Sequence, residues 1–150
     1  MVFLILYDAY LFSDFLTLSK VPVTLINLLT GLQVSRYVVF GMIILIYILL
    51  GCFIEPIPML IITVPVVLPV ITDFGFDPVW FGVIAILMTE AALITPPVGL
   101  NVYVIGGLMK DVSLVSVFRG AVPFVLAIVA VVIILAAFPQ VVLFLPGLIR

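Results

Sequence analysis

The residues with types and spacing suited to chemistry are Thr95-Pro96-Pro97-Val98-Gly99, followed by Asn101, and they interrupt an apolar run at its middle. A proline inside a helix lacks the N–H that would bond the carbonyl four residues earlier, so Pro96 and Pro97 are expected to free the carbonyls of Ala92 and Leu93. In hydrocarbon such oxygens are tolerated only where protein buries them or where they line a polar cavity, and helices broken this way form ion and substrate sites. The half-helix before the break directs its negative end and loose carbonyls at it, and the half-helix after it directs a positive end and free N–H groups there. A hard cation such as sodium takes oxygen ligands, so a cation is expected near Ile94, Thr95, Pro96 and Gly99, with the Thr95 hydroxyl among its ligands. A carboxylate substrate is expected against the start of the second half-helix, near Pro97, Val98 and Asn101. The competing reading is a kinked helix whose freed groups are satisfied by neighbours.

A second non-helical point lies at Gly51-Cys52-Phe53-Ile54-Glu55-Pro56-Ile57-Pro58, where Gly51, Pro56 and Pro58 make a turn. If this tip packs against the break, Gly51, Glu55 and Pro56 join the cation site. Glu55 is the only charge between Arg36 and Asp73, and it could coordinate the cation, bond exposed tip amides or meet water. Cys52 reads as a small apolar packing residue, and Thr63 as a local helix-packing hydroxyl. Glu90, about one turn before the break, reads equally as a structural hydrogen-bond partner and as a coupling residue.

These residues must be held by membrane helices. The chain of 150 residues is 67% hydrophobic and 8% charged, outside the range of soluble domains. The uncharged runs Tyr37–Ile54 and Gly120–Ile149 each meet the rule of roughly 17–25 residues for a spanning helix. A net charge of -2 leaves no basic patch for nucleic acid. One cysteine excludes an internal disulfide framework, and the absence of histidine removes the commonest metal ligand. No nucleophile–base pair, metal cluster or phosphate loop suggests an enzyme, and no cofactor is expected beyond sodium as a coupling ion. The first residues do not make a signal peptide, because they lack positive charge and Asp8 and Asp14 interrupt the apolar run. Asp8 is expected to face a partner helix and Asp14 an interface; either is otherwise a functional candidate by virtue of its depth.

The expected fold is an all-α membrane protein. Residues 1–18 form a transmembrane helix belonging to a scaffold. Residues 19–35 hold an amphipathic helix over Val21–Val34, capped by Ser19 with Pro22 in its first turn. At roughly 20 Å this helix is too short to span and is expected along the interface, between Lys20 and Arg36. Residues 36–111 form one unit, with a hairpin over 36–73 and a broken helix over 78–109. The hairpin stretch allows two full crossings or two arms of about 22 Å meeting inside the membrane; the Gly51–Pro58 tip favours the re-entrant form. Asp77 is positioned to cap the helix Pro78–Ile94, and Val98–Met109 forms the second half-helix. Residues 112–150 form a last transmembrane helix, from near Ser113 to Pro139, and a tail. The hairpin model places Lys20, Arg36 and Arg150 on one side and Lys110 and Arg119 on the other, too even a split to orient the chain.

The order of these elements, with Val64-Pro65-Val66-Val67-Leu68-Pro69, Gly75-Phe76-Asp77-Pro78 and Leu93-Ile94-Thr95-Pro96-Pro97-Val98-Gly99-Leu100-Asn101, resembles the large membrane subunit of tripartite ATP-independent periplasmic (TRAP) transporters. The resemblance runs from about Val21 and covers the C-terminal part, roughly the last third, of that subunit. It implies one inverted-repeat half of a sodium-driven elevator, with Val21–Val34 as the arm helix and the hairpin and broken helix in a moving transport domain. It also implies import of organic acids delivered by a periplasmic binding protein, a small membrane subunit as partner, and residence in a bacterial or archaeal inner membrane. The family usually carries Asp near the Glu55 position and Gly near Ala92. Because such sites form between two repeats, the chain alone is expected not to transport until joined by the N-terminal repeat. The alternatives are half of a sodium/dicarboxylate symporter that uses no binding protein, and a non-transporting truncated membrane fragment.

Overall fold

The computed structural model describes residues 2–96, 99–109 and 112–148, and every regular element among them is an α-helix. The helices are α1 (Val2–Leu18), α2 (Val21–Gly31), α3 (Arg36–Gly51), α4 (Pro56–Asp73), α5 (Pro78–Leu93), α6 (Leu100–Leu108), α7 (Leu114–Ala137) and α8 (Gln140–Leu148). Of these, α4 and α7 are each long and apolar enough to cross a membrane, while α3 and α5 are shorter apolar helices. The second half of α1 and α2 together also qualify, bent by 53° between them.

Local chemistry explains most boundaries. The turn between α4 and α5 needs Gly75 at a φ of 81°, where a side chain is strained, and the amides of Gly75 and Phe76 close back on the carbonyls of Thr72 and Ile71. Asp77 then starts α5: its Oδ1 accepts from the amides of Val79 at 2.8 Å and Trp80 at 3.2 Å, as expected of that residue. Ser113 caps α7 through the Ser116 amide. The bend before α2 is made differently from expectation: Lys20, not Ser19, is the N-cap, in a left-handed conformation at φ 55° and with no side-chain cap bond. The turn after α3 is tighter than expected, because Pro56 occupies the first position of α4 and Pro58 its first turn, where missing N–H groups cost nothing. The helix α4 continues through Pro65 and Pro69.

The core lies along α5, which is apolar apart from Thr89 and the exposed Glu90 and buries nine residues. Its most extensive partner is α3, with α4 and α7 also packed on it, while α1 and α2 pack on α4. Phe76 stacks on Trp80 and Phe40 packs tilted against both, at centroid distances of 5.1–5.5 Å, and Tyr47 meets Phe81 edge-on. The hydroxyls of Thr63 and Tyr47 lie 2.9 Å apart and Thr63 also donates to the Met59 carbonyl, so Thr63 is the packing hydroxyl expected.

The last helix ends two residues before Pro139, and a separate short helix, α8, follows; the sequence reading had only a tail there. Pro139 is the cause. It cannot donate to the Leu135 carbonyl, and the buried Trp80 indole N–H takes that oxygen instead, at 2.7 Å.

Candidate functional site

The helices α3 and α5 run side by side in the same direction: Phe40 meets Trp80 near their starts and Gly51 meets Ala92 near their ends. Each has 16 residues, so both terminate about 24 Å from the end marked by Arg36 and Asp77. The end of α3 is therefore delivered to the interruption between α5 and α6.

Contact there is close enough to require glycine. A Cβ on Gly51 would stand 2.6 Å from the Ala92 Cβ, inside any permitted separation. The next residue, Cys52, is buried, and its Sγ lies 3.7 Å from both the Thr95 and the Pro96 carbonyl oxygens. A thiol is a weak donor and is shared here between two acceptors, so it engages each oxygen only weakly. The Thr95 hydroxyl donates to the Ala91 carbonyl at 2.6 Å, which commits its proton and leaves its own lone pairs open.

The expectation for the Ala92 carbonyl is corrected. It accepts the Thr95 amide at 3.2 Å, because the last turn of α5 tightens into bonds that span three residues, and Ile94 likewise bonds Ala91 at 3.3 Å. On the far side of the break Gly99 has a φ of 57° and serves as the N-cap of α6, so the second half-helix begins at Leu100 rather than Val98. A Cβ on Gly99 would stand 2.9 Å from Phe118 Cε1 and 3.2 Å from the Thr95 oxygen, so backbone, carbonyl and ring converge at this point. The Gly99 carbonyl accepts from the amides of Val102 and Tyr103.

Of the residues expected at the site, Gly51, Thr95, Pro96 and Gly99 are drawn together by these contacts. Pro56 starts α4 and is half-buried; Glu55, the N-cap, is exposed and makes no side-chain cap bond. Ile94 and Asn101 line a cavity of about 250 Å³ with Val102, Val117, Ala121 and Phe124, which puts Asn101 on the side of the break that faces α7. Pro97 and Val98, as well as the cations Lys110 and Arg150, lie outside the described residues. Asp8, Asp14 and Glu90 are exposed. Among the described residues no group of three His, Cys, Asp or Glu side chains could hold a metal.

Two contributions to the site were not recognised in the sequence. Cys52 is buried, as expected of a small packing residue, and its thiol in addition reaches the break carbonyls, for which its place beside Gly51 in the tip is the signal. Phe118, which stacks edge-on with Tyr103 and fills the space over Gly99, carries no local signal because it arrives from another helix.

Comparison with known proteins gives a consistent assignment. The family model for the DctM component of the tripartite ATP-independent periplasmic transporter matches residues 1–141. A C4-dicarboxylate TRAP transporter large permease protein of Pseudomonas aeruginosa is 31% identical over 98% of this chain and 34% of its own length. A sialic acid TRAP transporter large permease protein of Vibrio cholerae is 35% identical over 89% of the chain and 28% of its own length. An isethionate TRAP transporter permease protein of Oleidesulfovibrio alaskensis is 28% identical over 98% of the chain and 23% of its own length. The chain thus spans about a quarter to a third of these relatives. It belongs to the DctM component family of tripartite ATP-independent periplasmic transporters.

Proposed function

We propose that this chain forms the C-terminal portion of a sodium-coupled secondary transporter subunit that imports organic acids by an elevator movement. The observation that carries the reading is the docking of the α3 end on the break, which gathers the Thr95 and Pro96 carbonyls and the Thr95 hydroxyl in one region where, among the described residues, a weak thiol is the donor that meets the carbonyls. In this reading Gly51, Glu55, Pro56, Ile94, Thr95, Pro96 and Gly99 form the sodium side, with carbonyl and hydroxyl dipoles replacing water around the ion. Pro97, Val98 and Asn101 form the substrate side, facing the positive end of α6.

The lengths of α3 and α5 favour a re-entrant first hairpin arm and a broken span, since 16 residues reach about 24 Å, short of the roughly 30 Å hydrocarbon core, whereas α4, the other hairpin arm, has 18 residues and is long enough to cross. The bend at Lys20 suits α2 as the arm that links scaffold to moving domain. The substrates named for the relatives are a C4-dicarboxylate, sialic acid and isethionate. The first two carry carboxylates and the third a sulfonate, so an oxyanion is their shared feature and suits a helix N-terminus. Delivery by a periplasmic binding protein, a small membrane subunit, the N-terminal repeat of the large subunit and an inner-membrane location complete the reading; no catalytic chemistry or further cofactor belongs to it.

The test is Thr95→Val at the matching position of an intact homologous transporter. The expected result is a rise of about tenfold in the sodium concentration for half-maximal uptake, the size of one lost ligand interaction of about 1.4 kcal/mol. Unchanged sodium dependence would count against the site. Sodium-driven uptake by liposomes containing only this chain would overturn the assignment as a transporter half.

A further inference from the structure

At the end of the molecule opposite the break, a cavity of about 220 Å³ opens between the start of α3, the turn joining α4 to α5, and the start of α8. Arg36, Tyr37, Asp77 and Trp80 line one side, and Pro139 and Leu143 close the other. Arg36, Asp73 and Asp77 mark the polar boundary at this end, since nothing charged lies on α3 beyond Arg36 and α4 carries only Asp73, at its last position. The cavity therefore sits where apolar helices meet the headgroup layer, with the exposed Tyr37 in the belt position usual for that depth.

Its two charges are held apart and prepared. The Arg36 guanidinium lies 4.8 Å from the Tyr37 ring centroid and 5.9 Å from that of Phe76, and donates to the Tyr37 hydroxyl at 2.8 Å. It makes no ion pair among the described residues, so its other N–H groups remain for an oxyanion that a planar fork binds well. Asp77 uses Oδ1 for both cap bonds, which leaves Oδ2 for a further donor. A cation and a carboxylate facing one small cleft at a membrane boundary match the chemistry of a zwitterion that carries a phosphate and a primary ammonium.

We propose that this cleft binds the headgroup of phosphatidylethanolamine, with the phosphate on Arg36 and the ammonium on Asp77. Phosphatidylglycerol offers no ammonium to Asp77, and phosphatidylcholine offers a quaternary nitrogen with no N–H to donate. The site is independent of the transport reading, because it uses none of the residues at the break.

Trp80 is the chain's only tryptophan and lines the cleft, so its fluorescence reports occupancy. The full chain in micelles is titrated with each of the three lipids carrying brominated acyl chains. The expected result is half-maximal quenching at a several-fold lower mole fraction of phosphatidylethanolamine than of either other lipid. Arg36→Gln should weaken that binding several-fold. Asp77→Asn, which keeps a good helix cap, should erase the preference over phosphatidylcholine. Equal quenching by all three lipids in the unaltered chain overturns the proposal, whatever the variants do. Displacement by soluble phosphoethanolamine at equal concentration would assign the cleft to a soluble phosphate ester and overturn the lipid assignment.

Discussion

The two ends of the α3–α5 pair meet the same problem with opposite outcomes. At the Arg36 end, Pro139 strips the Leu135 carbonyl of its helical donor, and a buried indole N–H replaces it at 2.7 Å. At the break, Pro96 strips the Ala92 carbonyl of its helical donor and the Thr95 amide replaces it at 3.2 Å, while the carbonyls of Thr95 and Pro96, beyond the end of α5, meet one shared thiol at 3.7 Å. A proline therefore does not decide whether an oxygen becomes functional. The strength of the group that answers it matters: a strong donor closes the first end as structure, and only a weak one meets the Thr95 and Pro96 oxygens among the described residues.

The contrast is sharpest at the contact that delivers the thiol. Gly51→Val should force α3 away from Ala92 and cost about 3 kcal/mol of stability in detergent, at the upper range for overpacking. Gly51→Ala should cost less and be largely rescued by Ala92→Gly, so additive losses in that double-mutant cycle would show that the helices do not meet there. Next in size, Trp80→Phe should cost about 2 kcal/mol, since it leaves the buried Leu135 oxygen without a partner. Introducing Pro139→Ala, which restores a backbone donor, should shrink that loss; an equal loss in both backgrounds would break the account of Pro139. The smallest effect is expected from Cys52→Ala, under about 1 kcal/mol in thermal or denaturant unfolding, because a long S–H contact contributes little. A loss as large as that of Trp80→Phe would mean the break is closed as firmly as the other end, and would remove the distinction.

Much of the fold was legible because its signals are local. The all-helical class, the cap at Asp77, the start of α7 at Ser113 and the interruption after Leu93 follow from periodicity, capping side chains and prolines acting on neighbouring bonds. Errors occurred where local signals were ambiguous. Ser19 looked like a cap, but the chain bends through a left-handed Lys20. The Ala92 carbonyl was counted as free, but it is closed by a tighter turn. The helix α8 was missed because Pro146 and Gly147 argue against helix within so short a stretch, and α8 gains its support from packing on α5 and α7.

What the sequence determined by itself was where the backbone must break, because proline and glycine act within a few bonds of themselves. What only the tertiary structure decided was which group reaches each freed oxygen. Cys52 meets the break across 43 residues and Trp80 meets Leu135 across 55, and such meetings depend on how helices pack, which no local pattern encodes.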